Sequence, residues 1–434
     1  MPANGTSEIL KSKRSSWNVQ ISEFARSTRN LIREVVEGVK LEPNPEKPMI
    51  PLSIGDPTTF GNLKAAKETI EAVRKSIENR KHDGYGPAVG SEEARRAVAK
   101  YSFHQGHVSP NDVILCSGCS TSLDMAICAL ADRGQNILIP RPGFSLYQTL
   151  AVSYGVEVRW YNLLPERQWE IDLEQLESLI DEDTAAVIVN NPNNPCGSVY
   201  TREHLKKILD LAEKYYLPII ADEIYEHFTF PGTQHTALST LSENVPILSC
   251  GGLTKRFLVP GWRMGWIIVH DRNNVFAEVR KGLAKLATRS LGPNTIIQAS
   301  LPVILEKTPQ SFFKSTTNFI YRNAVLAYDL LKDVRGIKPI MPNGAMYMMV
   351  GIDTDNFPEY PTEMLFVQDL VREQSVFCLP GTCFFYPNYF RIVLTVPEDL
   401  LREACIRIAD FCENHYKLDK RVIENGGLQA VDLQ

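Results

Sequence analysis

Residues 184–225 read TAAVIVNNPNNPCGSVYTREHLKKILDLAEKYYLPIIADEIY. Two apolar runs, TAAVIVN (184–190) and LPIIAD (217–222), enclose a segment in which Leu205, Ile208, Leu209 and Ala212 fall on one helical face. Strands apolar on both faces, joined by a helix, belong in a parallel sheet covered by helices on either side. The same alternation continues outward. DVILC (112–116), QNILIP (135–140), VPILSC (245–250) and WRMGWIIVH (262–270) read as buried strands, and 121–131, 172–182 and 202–215 as helices. The expected fold class is therefore α/β, a mostly parallel sheet flanked by helices.

Toward the carboxyl end the pattern changes to a long polar helix (311–333), short strands (346–352 and 390–396) and a final helix (398–415), a smaller α+β domain. Toward the amino end, LEPNPEKPMIP (41–51) carries four prolines and reads as an extended link. The expected division is a flexible leader over 1–16, an arm and part of the small domain over 17–64, a large domain over 65–320, a small domain over 321–416 and a loose tail over 417–434.

The 434 residues are 44% hydrophobic and 22% charged, ordinary for a globular protein and far from disordered or collagen-like composition. With 46 Lys+Arg against 51 Asp+Glu the net charge is −5, which argues against general phosphate-backbone binding. No apolar run approaches the ~18 residues of a membrane span. Nine irregularly spaced cysteines point to reduced thiols, and the amino terminus lacks an apolar signal region. The expected location is cytoplasmic, with a mitochondrial one second because the start is basic.

Ligands of open α/β sheets bind beyond the carboxyl ends of the strands, so the candidate site residues lie at those ends. After DVILC comes Ser117-Gly118-Cys119-Ser120 at the start of a helix. Free N–H groups and the helix dipole there suit a phosphate, although plain capping by Ser117 or Ser120 reads equally well. Cys116 and Cys119 also form a Cys-x-x-Cys, a possible dithiol, but no partner pair has zinc-ligand spacing and no metal is expected. Asn190-Asn191-Pro192-Asn193-Asn194-Pro195 is a rigid loop or a simple turn. Asp222, leaving an apolar strand, is either a cap or a buried charge awaiting a cation, and Tyr225 follows three residues on. Lys255 follows a strand end and paired glycines, and Arg263 lies eight residues beyond it. A lysine in a partly dry crevice becomes an amine nucleophile toward carbonyls.

A phosphate cradle with an arginine, a lone Asp, a phenol, an amide and a lysine together match pyridoxal 5′-phosphate. Lys255 would condense with its aldehyde, Asp222 would keep its pyridine nitrogen protonated, and Tyr225 and Asn194 would bond its 3-oxygen. No G-x-G-x-x-G follows a first strand, as a nicotinamide site would require.

With SIGDPT (53–58), GYGPAVG (84–90), SGCS (117–120), PRPGFSLY (140–147), NNPNNPCGS (190–198), ADEIY (221–225), CGGLTKRFLVPGWRMGW (250–266), NGAMYMMVGI (343–352) and YFRIVLTVPE (389–398), the chain resembles the fold-type-I pyridoxal-phosphate aminotransferases over about residues 17–415. The resemblance implies Lys255 as the Schiff-base lysine and proton shuttle, with Asp222 on the pyridine nitrogen and Tyr225 and Asn194 on the 3-oxygen. It further implies Phe144 stacked on the ring, and Ser117, Gly118, Cys119, Thr254 and Arg263 around the phosphate. Tyr85 would reach the phosphate of a neighbouring subunit, implying a homodimer with shared sites. Arg391 would grip the substrate α-carboxylate, with Asn194 beside it, and Gly55 would close over the substrate. The implied reaction is ping-pong transfer of the amino group of an aromatic amino acid, tyrosine foremost, to 2-oxoglutarate. The alternatives are broader donor specificity or carbon–sulfur lysis on the same cofactor. Three features depart from the family pattern: the arm Arg29-Asn30-Leu31-Ile32-Arg33, which lacks the usual proline and aromatic ring, Cys119 in place of a hydroxyl residue, and Glu226-His227. Arg33 and Arg289 are the candidates for a distal substrate carboxylate.

Overall fold

A computed structural model describes residues 17, 19–38 and 41–417. The expected leader (1–16) and all but the first residue of the expected tail lie outside the described residues. An eight-stranded sheet is built from β1 (Val113–Cys116), β2 (Asn136–Arg141), β3 (Glu157–Leu164), β4 (Glu170–Ile171), β5 (Thr184–Asn190), β6 (Ile219–Asp222), β7 (Ile247–Gly252) and β8 (Gly265–His270), in the order β1-β8-β7-β6-β5-β2-β3-β4. The strands β3, β2, β5, β6 and β7 run parallel, as the unbroken apolar runs of β2, β5, β6 and β7 suggest. Two strands are reversed: β8 is antiparallel to both β7 and β1, and the two-residue β4 is antiparallel to β3.

The sheet is buried on both faces, and alternate residues go to opposite cores. Ile137, Ile139, Ile188 and Ile220 pack with helix Cys119–Leu130, whereas Leu138, Val187, Val189, Ile219 and Ala221 pack with helix Arg202–Lys214. In that last helix Leu205, Ile208, Leu209 and Ala212 are all buried, as their spacing predicts. Helices Lys67–Glu78, Glu92–Tyr101 and Thr295–Lys307 cover a further core over β1 and β8.

A second, four-stranded antiparallel sheet is formed by β9 (Ile337–Pro339), β10 (Tyr347–Ile352), β11 (Leu379–Pro380) and β12 (Tyr389–Val393), in the order β9-β10-β12-β11. Helices Gln310–Leu331, Glu363–Gln374 and Glu398–His415 lie around it, and Ile50 and Leu52 of the amino-terminal segment are in the same core. Two expectations need correction. The helix read over 172–182 spans only Leu173–Ser178, and β3 and β4 were not foreseen. Among the described residues no helix is long and apolar enough to cross a membrane.

Candidate active site

A cavity of about 710 Å³ opens beyond the carboxyl ends of the parallel strands, where the two sheets meet. Chain reversal explains how residues far apart in sequence reach it. β7 leaves the sheet into the turn holding Thr254 and Lys255, and because β8 returns antiparallel, Arg263 comes back to the same edge. The Lys255 ammonium donates to the Gly55 carbonyl at 2.7 Å and lies 5.7 Å from the centre of the Tyr225 ring.

Asp222 ends β6 and is 3% exposed. Its Oδ2 accepts the Tyr147 hydroxyl at 2.6 Å, and Oδ1 accepts the Ile224 N–H at 3.3 Å with the Cys119 thiol 3.9 Å away. Burial pushes this carboxyl up, while the Tyr147 and Ile224 hydrogen bonds hold it down. No Lys, Arg or His among the described residues forms an ion pair with it. The Asn-rich loop is fixed by its own side chains: Asn190 Nδ2 donates to the Asp222 carbonyl, and Asn190 Oδ1 accepts the Asn194 N–H at 2.8 Å. Gly197 in this loop has φ +68°, and a Cβ there would lie 2.7 Å from the Tyr347 carbonyl, so only glycine lets the loop touch β10.

Helix Cys119–Leu130 starts on Gly118, with no side-chain cap. Plain capping by Ser117 or Ser120 is thus set aside, and among the described residues the Cys119 and Ser120 N–H groups meet no acceptor. Gly118 has φ +84°, and a Cβ on it would lie 2.5 Å from Arg263 Nη2. The Arg263 guanidinium donates to the Ser117 carbonyl at 3.2 Å and has no carboxylate partner among the described residues. Two free N–H groups and an unpaired guanidinium at one helix start make an anion site.

Arg391, on β12, is 2% exposed. It donates through Nη1 to Asn194 Oδ1 at 3.0 Å and through Nη2 to the Ser53 carbonyl at 2.7 Å, while Nε has no partner among the described residues. Its guanidinium stacks 4.2 Å from the centre of the Tyr347 ring and 4.9 Å from that of Phe384. Burial lowers its pKa, and no carboxylate answers its charge among the described residues. A buried cation with an unfilled donor is poised for a small anion.

Phe144 lines the cavity and meets Tyr147 edge-on, with ring centroids 5.8 Å apart. Thr254, Cys119, Asn194, Tyr225 and Gly55 also line it. Tyr85 does not, and is 90% exposed. Of the two distal candidates, Arg33 lines the cavity and pairs with Glu37 at 2.8 Å, whereas Arg289 lies elsewhere, against Tyr154. Cys116 and Cys119 are both buried, with burial pushing the Cys116 thiol up to about 12 and the Cys119 thiol well above its ordinary value. A helix start would stabilise a thiolate, but desolvation outweighs it here, so the dithiol reading fails.

Two phenols escaped the sequence reading. Tyr147 holds Asp222, and Tyr347 shares a 2.7 Å hydrogen bond with Tyr225. Both are buried, and a buried phenol needs a hydrogen-bond partner.

Residues 47–408 match the family model for aminotransferase class I and II. The chain is similar to tyrosine aminotransferase of Mus musculus, 53% identical over 409 residues (94% of this chain and 90% of that one). It is 52% identical to tyrosine aminotransferase of Homo sapiens over 410 residues, with the same two shares covered. Among solved structures, tyrosine aminotransferase from Leishmania infantum superposes with a TM-score of 0.90 at 32% identity, covering 93% of this chain and all of that one.

Proposed function

The chain belongs to the class I and II aminotransferase family, and from that premise we propose that it transfers the amino group of an aromatic amino acid, tyrosine foremost, to 2-oxoglutarate with pyridoxal 5′-phosphate as cofactor. The observation that carries this reading is the convergence of Lys255, Asp222 and Arg391 on one cavity. The residues present fit the cofactor. The unpaired Arg263 and the open N–H groups of Cys119 and Ser120 suit its phosphate, and the buried Asp222 lacks the cation that a protonated pyridine nitrogen would be. When bound, the cofactor supplies an aldehyde for the lysine amine and a ring that accepts electrons from the substrate Cα.

The chain's own residues then divide the work. Ser117, Gly118, Cys119, Thr254 and Arg263 would hold the phosphate, and Phe144 would cover the ring. Asp222, steadied by Tyr147, would keep the proton on the ring nitrogen, and Tyr225 and Asn194 would bond the 3-oxygen. Arg391 would bind the α-carboxylate with two parallel hydrogen bonds, its guanidinium held over the Tyr347 ring. Lys255, whose free amine reaches the Gly55 carbonyl, would move the proton at the substrate Cα, a role worth ~10²–10⁴-fold for a positioned acid–base group. The apolar side chains of Ile32, Val36 and Leu146 in the cavity wall favour an aromatic substrate, and Arg33 at the arm is placed for the second carboxylate of 2-oxoglutarate. The same reading carries a cytoplasmic homodimer in which Tyr85 of one subunit completes the phosphate site of the other, and a division into a large domain (65–320) and a small one (321–416).

The test is a panel of amino acids against 2-oxoglutarate with the cofactor-loaded protein. Glutamate should form fastest with tyrosine. Equal rates with alanine or methionine would replace aromatic preference by broad specificity, and release of pyruvate and ammonia without an acceptor would replace transfer by carbon–sulfur lysis. Borohydride reduction followed by peptide mapping should place the cofactor on Lys255.

A further inference from the structure

Beyond Tyr225 the chain continues with Glu226 and His227, which the site above does not use. The fold brings His104 against them from 122 positions upstream, out of the short helical turn Ser102–Gln105. His104 Nε2 lies 2.8 Å from Glu226 Oε2, and His227 Nε2 lies 3.1 Å from Glu226 Oε1. One ligand-type atom from each of the three residues lies within 4.8 Å of the other two. The two imidazoles are tilted to each other with centroids 4.9 Å apart, and Tyr101 meets both edge-on. Gln105 Nε2 donates to Glu226 Oε2 at 2.8 Å and so orients the carboxylate. His227 Nε2, despite its closeness to Oε1, makes no hydrogen bond of usual geometry with it and has no other partner among the described residues. The nearby Arg256 is turned away, donating to the Tyr101 hydroxyl with its guanidinium over Phe313.

We propose that His104, Glu226 and His227 form a binding site for one divalent first-row transition ion, zinc foremost, with a further position open to water. Two imidazole nitrogens and a carboxylate are a donor set such ions favour over calcium or magnesium. Ligand bonds of ~2.0–2.2 Å require donor atoms about 3.3 Å apart in a tetrahedral site, so the two histidine–glutamate separations need to open by only a few tenths of an ångström, and the two imidazole nitrogens, within 4.8 Å of each other, need to close by at most about 1.5 Å. His104 is exposed, which gives the ion a route in and leaves room for the water. Gln105 is the outer partner that holds the carboxylate in place. A bound ion would tie the turn Ser102–Gln105 to the segment following β6, on the side of the sheet away from Asp222. Spacing along the chain cannot show such a site, because only two of the three ligands are neighbours in sequence.

The experiment uses the full-length protein loaded with its cofactor, stripped with a chelator, desalted and titrated with Zn²⁺ in competition with a chromophoric chelator. The expected result is one tight equivalent per chain, weakened at least tenfold in His104→Ala and in His227→Gln, and a thermal midpoint that Zn²⁺ raises in the parent but not in the variants. Co²⁺ should give the visible bands of a nitrogen–oxygen site, with no thiolate charge-transfer band. The metal-free midpoint and cofactor absorbance of each variant establish that it is folded. No tight equivalent, equal affinity in the variants, or sulfur ligation in the Co²⁺ spectrum would each overturn the proposal.

Discussion

Asp222 and Glu223 are consecutive acids at the end of one strand, and each is 3% exposed. Strand geometry sends them to opposite faces of the sheet, and there they meet different fates. Asp222, on the face of helix Cys119–Leu130, has a phenol and a backbone N–H as donors and opens onto the cavity that holds Lys255. Glu223, on the other face, has Leu238 N–H at 3.3 Å and His235 Nε2 at 3.7 Å, and its Oε2 has no partner. Burial pushes Glu223 up to about 8 and His235 down to about 4, so the two stand side by side without charge at neutral pH. Burial alone therefore does not mark the working acid. What distinguishes Asp222 is an open space for a cation, where Glu223 has a neutral imidazole.

The contrast can be broken most severely at Lys255, which faces the Asp222 side. Lys255→Ala should lower the rate of glutamate formation by about 10⁴-fold or more, measured under single-turnover conditions. Next come the two acids themselves. Asp222→Asn should reduce kcat by about 10²–10³-fold, as losses of buried charge stabilisation do, whereas Glu223→Gln should leave kcat unchanged. The second variant shows itself in stability instead. A carboxyl raised from 4.5 to about 8 favours the fold fully below pH 4.5 and loses that contribution as pH climbs through about 8. Denaturation midpoints of the parent should thus fall over that window by the equivalent of about 3–5 kcal/mol at most, and Glu223→Gln should flatten the slope. A smaller effect is expected of Tyr147→Phe. Removing a donor to a charged group costs ~1.5 kcal/mol, about tenfold in kcat. Asp222 would then be pushed further up, so the acid limb of the kcat/KM profile should move to higher pH. Cys119→Ser, which exchanges a weak thiol donor for a hydroxyl, should alter kcat only about two- to threefold.

The strands that position this site were legible because they are buried on both faces. TAAVIVN and LPIIAD are apolar without interruption, and their carboxyl ends supplied Asn194, Asp222 and Tyr225. β3 escaped because it lies next to the sheet's edge. Glu157, Arg159 and Asn162 interrupt its apolar residues and meet solvent or polar partners, among them Asp181 for Arg159 and Arg141 for Asn162. Asp181 also explains why helix Leu173–Ser178 stops early. It takes the Asn136 amide and the Arg159 guanidinium in the turn before β5, contacts that a continuing helix would not permit. Arg391 was reached only through resemblance, since no local pattern shows that a strand arginine lies over a ring and meets no carboxylate. Tyr347 was hidden in an apolar run and Tyr147 in a mixed one, where nothing marks the phenol as an acid's partner.

Gly118 sits against Arg263, and Gly265 sits against Gly118, where an added Cβ would come within 2.5 Å of its carbonyl carbon. A single methyl at either position would pry the guanidinium from its seat or force the helix start off the strand. The smallest possible side chain is thus the useful one at both sites, and the neighbourhood leaves evolution almost no room to tinker: its sequence variation should be confined to the hydroxyl and thiol positions around these two hydrogens.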